Sequence, residues 1–337
     1  TCALPISSIH SLMVSKLCLI LVESIFKPNG SVHIQKSSIS SSSPSMGTLR
    51  AAILVTLTSQ IITSRLDQDL SSRITDECGS LLRPKISIPI EGNEAPLGYW
   101  PWMALIGTID DAPFSSSKFH CNGVLVTDVH VLTPAHCTSL YPHKRLLVRL
   151  NEHDVRTYFD CDDFECHKSK NVLASSVVRH PDYECDHPDR RHNLAVIRLP
   201  TGQRYHTWLC LPTLPLLKQE TFSPEMWPYS AGWAVNSETL TALHHNRIKL
   251  APWRECGLKD GDTSTICGTS SYNHGVLDEG NPLMFPNKFG SRWFLIGLLS
   301  FTTPNHTAVY TYIPHYTTWL LSVVHSYTDD KKYRMHK

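Results

Sequence analysis

Seven short apolar runs limit this chain more than any other feature: WMALIG (102–107), GVLVT (123–127), HVLTP (130–134), LLVRL (146–150), LAVIRL (194–199), RWFLIGLLSF (292–301) and AVYTYI (308–313). Each is rich in β-branched or aromatic residues and lies between Pro, Gly, Asn and Asp clusters, which is the pattern of strands separated by turns. Only His315–His325 has helical spacing, with Trp319, Leu320 and Val323 on one side. Many short strands and one terminal helix predict an all-β barrel or sandwich. The chain has 337 residues and is 41% hydrophobic, enough for one large core or two moderate ones. Its formal charge is +1, from 31 basic and 30 acidic residues, so no net field favours a nucleic acid or an anionic membrane. Neither is expected as a partner.

The ends of the chain read differently from its middle. Residues 46–64, Met-Gly-Thr-Leu-Arg followed by AAILVTLTSQII, have the charge and apolar length of a signal peptide. Residues 1–45, with the serine-rich KSSISSSSPS, read as non-native upstream translation, and TCALPI can be encoded by a sequencing-adapter oligonucleotide. Residues 65–88 are a polar lead around Cys78, 89–325 a single folded domain, and 326–337 a polar tail. Eleven cysteines without zinc-like grouping point to an oxidising, extracellular setting.

Several motifs resemble, in order, those of the trypsin and chymotrypsin family of serine proteases. GNEAPLGYWPWMALI (92–106) resembles its amino-terminal segment, CNGVLVTDVHVLTPAHC (121–137) its histidine region and HNLAVIRL (192–199) its aspartate region. AGWAV (231–235), GVLDEGNPLMF (275–285) and WFLIGLLSF with AVYTYIPHYTTWL resemble its later turns, nucleophile loop, closing strands and helix. A narrower resemblance, carried by Cys78-Gly79, RLNEHDVRTYFDCDDFEC (149–166) and Cys210-Leu-Pro212, is to arthropod clip-type serine protease homologues, although no clip domain is read here. The resemblance implies a trypsin-like double six-stranded β-barrel with a C-terminal α-helix. It also implies disulfides Cys121–Cys137, Cys256–Cys267, Cys161–Cys166 and Cys78–Cys210, with Gly275 and Phe285 where the family often has a further pair. Cys185 is left over, either as a free buried thiol or as the link in a disulfide-bonded dimer.

The family's chemistry needs a serine oxygen, a histidine base, an aspartate that sets the histidine tautomer, and amides facing the oxyanion. By this resemblance the triad positions are His136, Asn193 and Glu279. The same amide-for-carboxylate change lowers turnover about 10⁴-fold where it has been made in such a triad. Glutamate attack on an amide would form an anhydride, so Glu279 reads better as an ion-pair partner of His136. The oxyanion loop, Leu277-Asp278-Glu279, has Leu277 where glycine is wanted, and Asp278 awaits an amino terminus freed by activation. The aligned junction, Ile88-Pro89, does not suit a trypsin-like activator, whereas Lys85-Ile86 would leave a terminus three residues too long. The specificity positions are Asn273, Ser300, Thr302 and Ala308, with Thr302 and Ala308 narrowing the pocket.

Two secondary sites complete the reading. Glu152 and Asp154 lie in an acidic loop where some family members bind calcium, and Asn305-His-Thr307 is a glycosylation acceptor. His244-His245 lacks a third zinc ligand in sequence. The expectation is a secreted pseudo-protease without a cofactor that acts by binding, its partners being proteases or prophenoloxidase of an immune or venom-targeted cascade. The alternatives are a hydrolase using His136 and Glu279 in other chemistry, and a glycan or microbial-surface binder.

Overall fold

The apolar runs form strands in two sheets. The first contains β1 (Met103–Ile109), β2 (Lys118–Leu125), β3 (His130–Thr133), β4 (Arg145–Leu150), β7 (Lys170–Leu173), β8 (Ser176–Arg179) and β9 (Ala195–Arg198), in the order β7-β4-β1-β2-β3-β9-β8. A separate hairpin pairs β5 (Phe159–Cys161) with β6 (Cys166–Lys168). The second sheet is a closed barrel of β10 (Tyr229–Gly232), β11 (His244–Ala251), β12 (Thr265–Ser270), β13 (Pro282–Pro286), β14 (Trp293–Thr302) and β15 (Thr307–Tyr312), ordered β10-β11-β12-β15-β14-β13. This is the all-β, trypsin-like class expected from the sequence. In detail, the first sheet has a seventh strand because Ser176–Arg179 pairs with β9 (Ser176↔Arg198), satisfying an edge that would otherwise present unpaired backbone groups.

The structure is a computed structural model describing residues 78–81, 94–110, 117–140, 144–185, 190–203, 207–223, 225–233, 241–258, 263–270, 278–305 and 307–334, with side chains to 326. The signal segment, the Ile88-Pro89 and Lys85-Ile86 junctions, Asn273 and Leu277 lie outside the described residues.

β1 is buried from Met103 to Thr108, which explains its unbroken apolar sequence: both faces are covered, so the alternation of a half-exposed strand is missing. Trp102, just before β1, and Trp293 of β14 join one core with Trp100 and Tyr229, and the Trp100 and Trp293 rings meet edge to face at 4.8 Å. Trp100 Nε1 donates to His245 Nδ1 at 3.1 Å within this core.

Among the described residues, two α-helices flank the sheets. α1 (Leu214–Gln219) was not signalled by periodicity, being one short segment with proline in its first turn, yet its Leu216 is buried against the Cys78–Cys210 bridge. α2 (Ile313–Arg334) starts two residues before the expected span and continues past His325, so the main chain stays helical well into the expected polar tail. Pro314 fits its first turn because no intrahelical acceptor exists for an N–H there. Ile313, Tyr316, Leu320, Val323 and Val324 form its buried stripe.

The four bridges pair as the resemblance implies: Cys78–Cys210, Cys121–Cys137, Cys161–Cys166 and Cys256–Cys267. Around the first, Gly79 N–H donates to the Trp208 carbonyl at 2.7 Å and Trp293 N–H to the Gly79 carbonyl at 2.9 Å, which knits the lead to the barrel. Cys185 is exposed and unbridged, which corrects the reading of a buried thiol; its polar surroundings offer no apolar seat for it.

Candidate functional site

Both sheets supply the cleft. β3 ends at Thr133, Pro134 stops it, and a 3₁₀ turn over Ala135–Thr138 carries His136. Cys137 in that turn is bonded to Cys121 of β2, which fixes the turn's direction. Pairing of Thr133 with Ala195 brings Asn193, two residues earlier, beside His136. The barrel contributes Ser300 from β14 and Glu279 just before β13. Asn122 N–H donates to the Glu279 carbonyl at 2.9 Å, and Gly280 N–H to the Leu299 carbonyl at 2.7 Å. Gly280 has φ +91°, and a Cβ there would lie 1.9 Å from the Asn122 oxygen, so this close approach admits only glycine.

Asn193 is fully buried, and its partners identify its two amide atoms. The His136 backbone N–H can only donate, and it meets Asn193 Oδ1 at 3.0 Å. Nδ2 is thereby directed at His136 Nδ1, 2.8 Å away, and at Ser300 Oγ, 2.7 Å away. Asn193 Oδ1 also lies 3.1 Å from Nδ1, so the amide can serve Nδ1 as donor or as acceptor, whereas the Glu279 carboxylate at Nε2 can only accept. Nε2–H then donates to Glu279 Oε2 at 2.8 Å. A carboxylate in place of the amide would accept from Nδ1 and leave Nε2 free to take a proton.

The ion-pair role expected of Glu279 is thus present in the geometry, with a second cation that the sequence reading missed. Arg190 Nη1 lies 2.5 Å from Glu279 Oε1 and 3.1 Å from the Ser300 carbonyl. Burial alone would raise the Glu279 carboxyl, but hydrogen bonding and charge from His136, then from Arg190, outweigh it and hold the group at about 2. Arg190 has φ +43° and His192 φ +53°, left-handed values that cost a non-glycine residue roughly 1–2 kcal/mol each. Packing holds them: the His192 ring stacks on His180 at 5.0 Å, its Nδ1 lies 3.2 Å from Tyr316 Oη, and His180 meets Trp319 at 4.8 Å. Arg190 carries no motif and stands 89 residues from Glu279; the only hint in the sequence is a basic run beside Asn193.

The remaining predicted positions divide. Asp278 is buried, and its Oδ2 accepts from the Asn122 amide at 3.4 Å. Ser300 is buried in β14; Ala308 is fully buried and pairs with the exposed Thr302 at the far end of that strand. Asn305 is exposed in the turn between β14 and β15.

The calcium expectation can be tested on the donors themselves. Burial raises the Glu152 carboxyl to about 7, and Arg149 Nη1, 3.0 Å from Oε2, offsets this only in part. Arg156 brackets both oxygens of Asp154 and holds that carboxyl well below its usual range. Each carboxylate already faces a guanidinium, so the pair does not form a calcium cage. Donor atoms of Cys121, His136 and Cys137 lie together, but both sulfurs are spent in one disulfide and offer no thiolate.

The sequence profile described as Trypsin matches residues 89–320. The chain is 27% identical over 265 residues to CLIP domain-containing serine protease B4 of Anopheles gambiae, covering 72% of this chain and 71% of that protein. It is 26% identical over 252 residues to Phenoloxidase-activating enzyme 1 of Spodoptera litura, covering 70% and 66% respectively. The crystal structure of the Drosophila Grass clip serine protease of the Toll pathway superposes with a TM-score of 0.62 at 23% identity, covering 75% of this chain and 76% of that one, a likeness of fold. Because the Trypsin profile spans more than half of the sequence, the chain belongs to the trypsin family of serine proteases.

Proposed function

We propose that this chain is a catalytically inactive member of its family that is secreted and acts by binding, as a regulator of a protease cascade of the melanisation type. One observation carries the reading: His136 Nε2 lies 2.8 Å from the Glu279 carboxylate, which can only accept, so Nε2 holds a proton and points it at the place where the family has its nucleophile. A protonated Nε2 cannot accept a proton from an attacking group. A Glu279 attack on a peptide would exchange a stable amide for a far more reactive anhydride, and the carboxylate is already committed to two cationic or donor partners. The cascade part rests on relatives such as Phenoloxidase-activating enzyme 1.

Purified protein assayed against peptide, ester and glycoside panels is expected to give no turnover above buffer. Turnover that His136→Ala abolishes would overturn the inactive reading. For the cascade, the protein is added to prophenoloxidase with its activating protease: a changed activation rate, in either direction, is expected, and an unchanged rate at excess protein rejects that role.

A further inference from the structure

β13 accompanies β14 only as far as Leu298, while β15 pairs with it to Thr302, so beyond Leu298 β14 has no β13 partner and an extended peptide could be held there by N–H···O=C bonds to its main chain. The Ser300 carbonyl is the β14 acceptor facing the His136 and Glu279 side chains, and Arg190 Nη1 occupies it at 3.1 Å. We propose that Arg190 is a built-in occupant of the cleft that excludes extended peptide chains, so that this protein is not a decoy for substrate-like inhibitors and its protein partners dock outside the cleft. This rests on the inactive reading above and narrows it.

Three observations support the assignment. The same Nη1 that takes the Ser300 carbonyl also meets Glu279 Oε1 at 2.5 Å, so an incoming peptide N–H would have to displace a charge-assisted contact, not a water. Removing Arg190 from this position would take from the Glu279 carboxylate, 36% exposed, one of its two ion-pair contacts and leave that with His136. The backbone is set for the purpose: Arg190 and His192 both have positive φ, and the His192 ring is locked between His180 and Tyr316 on α2. A strained conformation persists only where its surroundings over-determine it. The Arg190 guanidinium also lies 5.9 Å from the Phe301 ring, so the side chain is supported along β14 and not only at its tip.

The test uses a Kunitz-type inhibitor, whose binding loop is extended, and a variant of it with alanine at the anchoring position of that loop, so that pocket fit is not what is measured. Calorimetry with the full chain is expected to show no saturable binding of either. Arg190→Ala is expected to gain about tenfold or more in affinity for both, with Arg190→Lys in between. Equal binding by wild type and Arg190→Ala, or no gain in Arg190→Ala with its thermal transition intact, overturns the proposal. If Arg190→Ala does not fold, ¹⁵N spectra of the wild-type arginine side chains decide: a guanidinium with slowed rotation, shifted in Glu279→Gln, supports it, and a freely averaging one rejects it. Cleavage of the inhibitor loop by wild type would instead sink the inactive reading, which is a separate outcome.

Discussion

Asn193 and an aspartate would fill nearly the same space, yet one NH₂ in place of one oxygen removes the fixed negative charge beside His136 Nδ1, while Glu279 supplies one at Nε2. The Glu279 carboxylate can only accept, which places a proton on Nε2. Long-range ¹H–¹⁵N correlation spectra should therefore show a proton on His136 Nε2. Glu279→Ala should remove that preference, and an unprotonated Nε2 in the wild type would refute the assignment. His136, Asn193 and Glu279 were legible in the sequence because rigid strands fix their register: Ala195–Arg198 pairs with β3, so Asn193 could not slip. Arg190 was not legible, because its role depends on a left-handed backbone and a contact across the cleft, neither of which leaves a local signal. The Asn122 contact of Asp278 escaped for the same reason, since 156 residues separate the two.

Among the elements, the strands were the easiest to read and the edges the hardest. Buried β1 and β14 announced themselves by unbroken apolar runs, whereas β8 is only four residues, three half-buried and one exposed, and α1 a single proline-led segment. The β3–β9 pair also carries an electrostatic load. His130 pairs with Arg198 across it, and burial, with the Arg198 charge beside it, pushes the imidazole down to about 4 from an ordinary 6.5. The folded state thus prefers neutral His130. Its contribution is complete above about pH 6.5 and is lost as pH falls towards 4, because the unfolded chain takes up the proton first. Urea unfolding of wild type should lose stability between neutral pH and about pH 4, by up to roughly 3 kcal/mol from this group. His130→Gln, which keeps a side chain able to meet Thr127 Oγ1, should show a drop smaller by that amount; an equal drop in both would reject the assignment.

At the scale of the whole molecule, the Cys78–Cys210 bridge closes a loop of 132 residues, which includes the first sheet. Cross-links over so long a loop restrict the unfolded chain most, by about 4–5 kcal/mol in the loop-closure picture. Replacing both cysteines by serine should lower unfolding free energy by a few kcal/mol, measured by denaturant titration; an unchanged midpoint would mean that the Gly79 backbone bonds hold the lead by themselves. The bridge was legible because a Cys-Gly lead and a distant Cys-Leu-Pro form a known pairing. The mutual embrace of the two sheets was not, since it is made of residues from all over the chain. That embrace has a further meaning. Hydrolytic clefts hold their reactive groups ready and incompletely satisfied, and such readiness costs stability. Here the seam between the two sheets is sewn shut by Glu279, which grips His136 and Arg190 from the first-sheet side while its own carbonyl is held by Asn122. Glu279→Ser would cut two of those stitches at once. A hydroxyl at that position would therefore be gained at a loss of stability.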